Sequence, residues 1–378
     1  MEINSTIKPA EMTTQAQRLA IDMTRYIPAT VIIALIGLFA ILGNGMTIAI
    51  YVRFQGLRDS TMKFILNLAI TDFSTGVCCL FFMVSFLSEL QQLSSFTCLI
   101  SYQTLLYQST VSQCLILVTT FERYLAICRR EKYPHIMTEK ASKIMILASW
   151  VFPSIPALIP LLGVNKWDAV GVCSYPRLLP GWLFISYSVL MFLLTLLTIG
   201  MYTKILLRAR RFYKTLKPSD LHGVNANTTR NRAIKKSIRN GKVIGVVTMF
   251  FIACWLPYYI YLIRFGLEDP SYSFALVNIA YLVGISNCTI NPIIYGWQKE
   301  NFRKQARNIL TCIFRRRQMN NSVDIENGDT LNTSTSSSRN AIITLNVLKT
   351  SQSTCNDHDQ MAYARKNSKM AWIGKNDE

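Results

Sequence analysis

The sequence predicts an all-α membrane protein, a seven-transmembrane helix bundle followed by an amphipathic eighth helix. Three observations carry that reading. Of the 378 residues, 51% are hydrophobic and 16% charged, and the mean hydropathy is +0.25. Seven long stretches avoid Lys, Arg, Asp and Glu: 26–52, 64–88, 90–121, 144–165, 178–203, 243–263 and 270–298, with Asp72 in the second as the lone exception. Each reaches the roughly 20 residues that cross a hydrocarbon core of about 30 Å. Finally, the basic residues are segregated. They crowd the connection 204–242, "RREK" after the third stretch and "RRR" at 315–317, while the alternate connections hold few. Lys/Arg excess marks the cytosolic side, so the N-terminus is expected outside and the C-terminus inside. The formal charge of +19 is thereby a collar facing lipid headgroups, and no nucleic acid is expected as a partner.

The elements follow in order. Residues 1–27 form a polar extracellular segment without the basic and apolar regions of a cleavable signal, so the first stretch is expected to serve as the targeting signal. Asn4-Ser5-Thr6 is a glycosylation sequon on the outer side. The triplets at Asn227, Asn320 and Asn332 fall inside, and Asn287 lies within the seventh stretch. Residues 28–298 form the membrane domain. Its first connections are short (53–63, 89–97, 129–143), and the outer connection 164–180 is longer. The inner connection between the fifth and sixth stretches runs for about 35 residues, with "LKPSDLHGVNANTT" as its expected flexible middle. No internal repeat is evident, which weakens the case for a transporter built from duplicated halves. Residues 299–314 are amphipathic: Phe302, Ala306, Ile309, Leu310 and Ile313 share a face, which suits a helix lying on the membrane surface. Cys312 at its end is a palmitoylation candidate or a plain cytosolic thiol. Residues 315–378 are polar and expected to be disordered, with the hydroxyls of "TSTSSS" (333–338) open to phosphorylation.

Most of the ten cysteines lie within the apolar stretches and act as small hydrophobes. Cys98 and Cys173 fall on the oxidising side, where a bridge between them would tie the outer loop over the bundle. Asp72 is costly in hydrocarbon and should face the bundle interior with partners. Asn44, Ser112, Asn287 and Asn291 stand at similar depth. This cluster is read either as a hydrated site for a sodium ion or a proton, or as a structural hydrogen-bond knot. "FERYLAICRR" (121–130) places an acid, an arginine and a tyrosine where the third stretch meets the cytosol.

"LGN" (42–44), "LNLAITD" (66–72), "ERY" (122–124), Trp150, "FFIACWLP" (250–257) and "NPIIY" (291–295) occur in order on six of the seven stretches, all but the fifth. The chain resembles a rhodopsin-family (class A) G-protein-coupled receptor from residue 28 to about 312. The resemblance implies a resting acid–arginine pair at Glu122 and Arg123, with Tyr124 completing the motif. Trp255, Phe251 and the hinge at Pro257 resemble the family's sixth-helix switch, Asn291, Pro292 and Tyr295 its seventh-helix counterpart, and Tyr202 the tyrosine that stabilises the active state. There are departures. The motif acid is Glu rather than the commoner Asp. Leu194 replaces a usual proline, as in melanocortin- and cannabinoid-like members. Gln113 replaces an aliphatic residue, and Ser237 stands where many members carry an acid that grips the arginine. The last departure predicts basal signalling.

By the same resemblance, the ligand pocket is lined by Leu105, Leu106, Ser109, Ser186, Tyr187, Tyr258, Tyr259 and Tyr281. Leu105 replaces the amine-pairing aspartate, and Ile285 the lysine that binds retinal. "MYTKIL", "CWLP" and "NPIIYGWQKENFR" resemble adenosine- and melatonin-like receptors, yet Leu262 replaces the purine-binding asparagine. A neutral, hydroxyl-rich aromatic pocket suits a small uncharged or weakly polar ligand, or an aromatic-rich peptide end. The expected partners are that extracellular ligand, a heterotrimeric G protein, arrestin and receptor kinases, and membrane lipid. No cofactor is expected beyond an allosteric sodium ion at Asp72. No nucleophile–base set, metal-ligand run or phosphate-cradling glycine loop points to an enzyme. A seven-span transporter or channel would need more intramembrane charge than one carboxylate. A constitutively active orphan of the same fold is the other alternative.

Overall fold

Hydrocarbon offers no partner to backbone N–H and C=O groups, so a chain that spans it must satisfy them within helices or closed barrels. The protein does so with helices. The computed structural model describes residues 9–53, 60–167, 173, 178–216, 226–267, 274–298 and 302–311. Among these are seven helices long and apolar enough to cross a membrane. They are α1 (Pro9–Arg53), α2 (Ser60–Leu87), α3 (Ser95–Cys128), α4 (Glu139–Val151, continued by Ser154–Leu158), α5 (Gly181–Thr215), α6 (Ala226–Gly266) and α7 (Phe274–Gln298). No strand occurs among the described residues. The protein is a multi-pass membrane protein.

Local chemistry sets the helix ends. Glu89, with φ 57°, adopts a left-handed conformation just beyond α2. Ser94 and Thr97 then form a reciprocal capping box that starts α3, their side chains accepting from each other's backbone N–H at 3.2 and 3.1 Å. The Thr138 hydroxyl accepts from Ala141 N–H at 3.2 Å and caps α4. Pro153 interrupts that helix by removing a backbone donor.

The spans share burial unequally. Two thirds (67%) of the most apolar window of α3 is buried, against 17% for α4, so α3 is the central pillar and α4 is peripheral. Leu35, Leu38, Phe39 and Leu42 on α1, and Leu193, Leu196 and Leu197 on α5, are exposed apolar faces suited to lipid. Where α1 meets α2, a Cβ on Gly76 would lie 2.6 Å from the Gly37 carbonyl oxygen, so glycine permits this approach.

Three elements run further than the hydropathy suggests. α5 extends to Thr215 and α6 begins at Ala226, so most of the basic connection is helical and the end of its expected flexible middle, Ala226–Thr229, belongs to α6. Lys, Arg, Leu and Ala are good helix formers, and helices that leave the bilayer need no apolar face to continue. Helix α1 likewise starts at Pro9, within the polar segment, with proline in the first turn.

A second compact unit begins at Glu300. Its described helix, α8 (302–311), buries Phe302 and Ile309 and exposes Arg303, Lys304 and Arg307. Leu310, expected on the apolar face, is exposed. At 100° per residue it stands about 80° from Phe302, at the edge of the stripe. Asn4, Cys312, Ile313 and the cluster 333–338 lie outside the described residues.

Candidate functional site

A polar knot occupies the middle of the bundle. Asp72 on α2 is buried, and Asn291 Nδ2 on α7 donates to its Oδ2 at 2.7 Å. Ser112 Oγ on α3 approaches Oδ1 at 3.5 Å. Asn44 Nδ2 on α1 donates to the carbonyls of Ala40 (3.0 Å) and Cys288 (2.9 Å), tying α1 to α7. Asn287 is buried on α7, but no hydrogen bond joins it to Asp72 among the described residues. Asn44 Oδ1, Asn291 Oδ1 and Asn287 Nδ2 are buried without a hydrogen-bond partner among the described residues. Carboxylate, hydroxyl and amide oxygens are the donor types that a hard cation takes.

At the basic end of α3, Arg123 Nε and Nη2 donate to the two carboxylate oxygens of Glu122, and both residues are buried. Their fork is closed by Tyr133, whose hydroxyl donates to Glu122 Oε1 at 2.8 Å from the short helix Tyr133–Ile136. A buried ion pair needs such extra hydrogen bonds, because desolvation offsets much of its Coulomb attraction. Tyr124 packs instead in apolar clusters with Ile127, Ile238 and Phe64. Half-buried Ser237 lies on α6. Tyr202 on α5 rests directly on α6: a Cβ at Gly245 would overlap its hydroxyl and ring. Tyr133 and Gly245 are the residues the sequence reading missed, since nothing in their local pattern marks either contact.

Deeper in the bundle, Phe251 and Trp255 are buried on α6 with ring centroids 6.2 Å apart. Trp255 stacks on Tyr259 at 5.9 Å and lies against Gly284 of α7, where a Cβ would come within 2.8 Å of its ring. Pro257 and Pro292 each sit inside their helix, and Pro292 packs on Gly43 of α1. Tyr295 belongs to α7, and its side chain is outside the described set. Gln113 is buried on α3 with neither amide atom hydrogen-bonded among the described residues.

The expected ligand pocket divides into two parts. Tyr258 and Tyr281 lie 5.2 Å apart between centroids and Tyr187 and Tyr259 6.1 Å, so interlocked rings fill the centre of the bundle. The cavity, about 160 Å³, opens toward α3, α4 and α5. Leu106, Ser186 and Tyr187 line it, whereas Leu105, Ser109, Tyr258, Tyr259 and Tyr281 do not. The physical reason is that the tyrosines pack on one another; prolines 153, 156 and 160 line the cavity on its α4 side. Tyr187 is aimed by Ser109 Oγ at 3.3 Å and by Thr110 Oγ1 at 3.2 Å. Above this region Cys98 and Cys173 form a disulfide, and Cys173 N–H donates to the Gln92 side-chain oxygen at 2.8 Å.

Comparison with known proteins gives a family. The model of the 7 transmembrane receptor (rhodopsin family) matches residues 43–295. The chain is similar to octopamine receptor beta-2R of Drosophila melanogaster, with 26% identity covering 75% of this chain and 61% of that protein. It is also similar to adenosine receptor A2a of Canis lupus familiaris, with 27% identity over 75% of this chain and 72% of that protein. With trace amine-associated receptor 13c of Danio rerio it shares 26% identity over 72% of this chain and 82% of that protein. The chain spans about three fifths of the length of the Drosophila octopamine receptors it matches. With seven spans, a buried Glu-Arg pair and a family match across most of the bundle, the chain belongs to the rhodopsin family of seven-transmembrane receptors.

Proposed function

We propose that the protein is a plasma-membrane receptor, N-terminus outside, that binds an extracellular ligand and activates heterotrimeric G proteins by swinging the basic end of α6 away from α3. The observation that carries this reading is the buried Glu122–Arg123 pair held by Tyr133. Such a pair is a two-position device. Closed, both charges are neutralised inside the bundle; opened, the guanidinium is released toward the cytosol for a partner. An agonist needs only to bind the open arrangement more tightly than the closed one. The excess of Lys and Arg at the same end supports its cytosolic placement. Arrestin and receptor kinases would act on the Ser/Thr-rich tail.

The ligand is small and uncharged or weakly polar. The cavity lining offers the hydroxyls of Tyr107, Thr110, Ser186 and Tyr187 and the amide of Gln103 amid apolar side chains, with no charged residue. That lining disfavours the cationic amines for which two of the relatives are named. Adenosine is uncharged, but Leu262 at the cavity wall offers no hydrogen bond to a purine. A sodium ion held by Asp72, Ser112 and the free amide oxygens of Asn44 and Asn291 would supply a positive charge that steadies the resting core. Those residues would hold it by their oxygens.

A cell-based G-protein activation assay over a panel of neutral ligands tests the reading, with Arg123→Ala expressed at matched surface level. Activation by at least one ligand, abolished by the substitution, is expected. Full activation by the variant overturns the mechanism. Sodium is tested by melting the purified receptor in sodium chloride and in choline chloride. The sodium salt should raise the melting temperature of the wild type and leave Asp72→Asn unmoved; equal curves for the wild type in both salts would refute the ion site.

A further inference from the structure

At the opposite end from the disulfide, a second cavity of about 460 Å³ opens between the ends of α3, α5 and α6. Its walls carry Arg129, Arg130, Lys132, Arg208, Arg211 and Arg230, against the single carboxylate of Glu131. All six cations are exposed, and among the described residues none forms an ion pair. The floor is apolar, made by Ile127, Ile234 and Ile238. Arg130 Nη1 donates to the Arg230 carbonyl at 3.3 Å, which draws the segment after α3 against α6.

Six like charges around one hollow repel one another, and an anion of high charge density relieves that repulsion. We propose that this cavity is a binding site for an inositol polyphosphate group, carried by a phosphoinositide lipid or free in the cytosol. Five of the six cations are arginines, whose planar forks match phosphate oxygens two at a time. The volume is within the roughly 300–1,000 Å³ of small-molecule sites. A nucleotide fits less well, since Phe212 is the one aromatic ring in the lining and the lining holds no carboxamide to read a base. The depth suits a headgroup. The charge-free stretch of α5 ends at Thr203, so Arg208 and Arg211 stand about 8–12 Å beyond it at 1.5 Å per residue. That reaches just past a headgroup layer of about 5–8 Å. A bound group contacts α3, α5 and α6 together, so it resists separation of α6 from α3 and acts as a brake on opening.

This inference rests on the orientation proposed above, in which this end faces the cytosol. Its test measures binding rather than signalling, so the two readings fail separately. The full-length receptor is purified and titrated with radiolabelled inositol 1,4,5-trisphosphate. In parallel it is placed in nanodiscs containing phosphatidylinositol 4,5-bisphosphate, or phosphatidylserine at matched charge, and its melting temperature is measured. Saturable binding of the soluble probe identifies the free anion as a source. Stabilisation by the phosphoinositide nanodiscs above the phosphatidylserine level identifies the lipid. Arg208→Gln with Arg211→Gln should weaken the positive arm about tenfold or more. Lys235→Gln with Arg239→Gln, an equal charge loss outside the cavity, should change it by less than about threefold. Equal weakening by both pairs overturns the proposal. So does stabilisation by phosphatidylserine equal to that by the phosphoinositide with no soluble binding. Binding of a phosphorylated 333–338 peptide alone would overturn it in favour of the tail.

Discussion

Glu122 accepts three hydrogen bonds, two from its neighbour Arg123 and one from Tyr133, eleven positions on. The first two were legible in the sequence through the resemblance of Glu122 and Arg123 to the family's acid–arginine pair. The third was not, since it depends on the chain turning back after α3 so that a side chain on another helix reaches the carboxylate. A hydrogen bond to a charged group contributes about 1.5–3 kcal/mol. Tyr133→Phe should therefore loosen the resting pair and raise basal G-protein activation severalfold, read in a nucleotide-exchange assay at matched surface expression. Basal activation at the wild-type level would mean that the hydroxyl has no part in holding the pair. Asp72 shows the other side of legibility. A lone carboxylate within an apolar span announces a buried partner, and Asn291 is that partner at 2.7 Å. Asn287, equally polar and at similar depth, does not bond to it, because four residues along α7 it stands one turn away.

At the scale of the element, α5 and α6 matter most. Hydropathy located their apolar cores and missed their basic continuations to Thr215 and from Ala226, because helix propensity outlasts the hydrophobic pattern. Their contact is specified by a missing side chain. Tyr202 occupies the space a Cβ on Gly245 would need. Gly245→Ala should thus expel the ring from its seat on α6. If leaving that seat favours the open state, as the proposed role of Tyr202 requires, basal activation rises while overpacking lowers stability by about 1–3 kcal/mol. A less stable receptor with no gain in basal activation would confine Tyr202 to packing. Gly284 provides the same kind of space for Trp255 on α7, so the two mobile-helix contacts of the proposed switch both rest on glycine.

For the molecule as a whole, the bundle is tied at one end by a covalent link and at the other by charge. The Cys98–Cys173 bridge closes a loop with 75 residues of separation, an arrangement that restricts the unfolded chain. Cys98→Ser and Cys173→Ser should each destabilise the receptor by about 2–5 kcal/mol. The double variant should be no worse than either single one, measured as surface level and melting temperature. Additive losses would show that the cysteines act independently. The sequence by itself determined the class, the seven spans and the register of the motifs. Lipid leaves a backbone one economical solution per span, and that solution is written in length and absence of charge. Only the tertiary structure decided which side chains meet and where the cavities open. A hydroxyl reaching a carboxylate, a ring seated on a glycine and tyrosines closing the bundle centre all depend on how neighbouring helices are rotated and spaced. No window of local sequence carries that geometry.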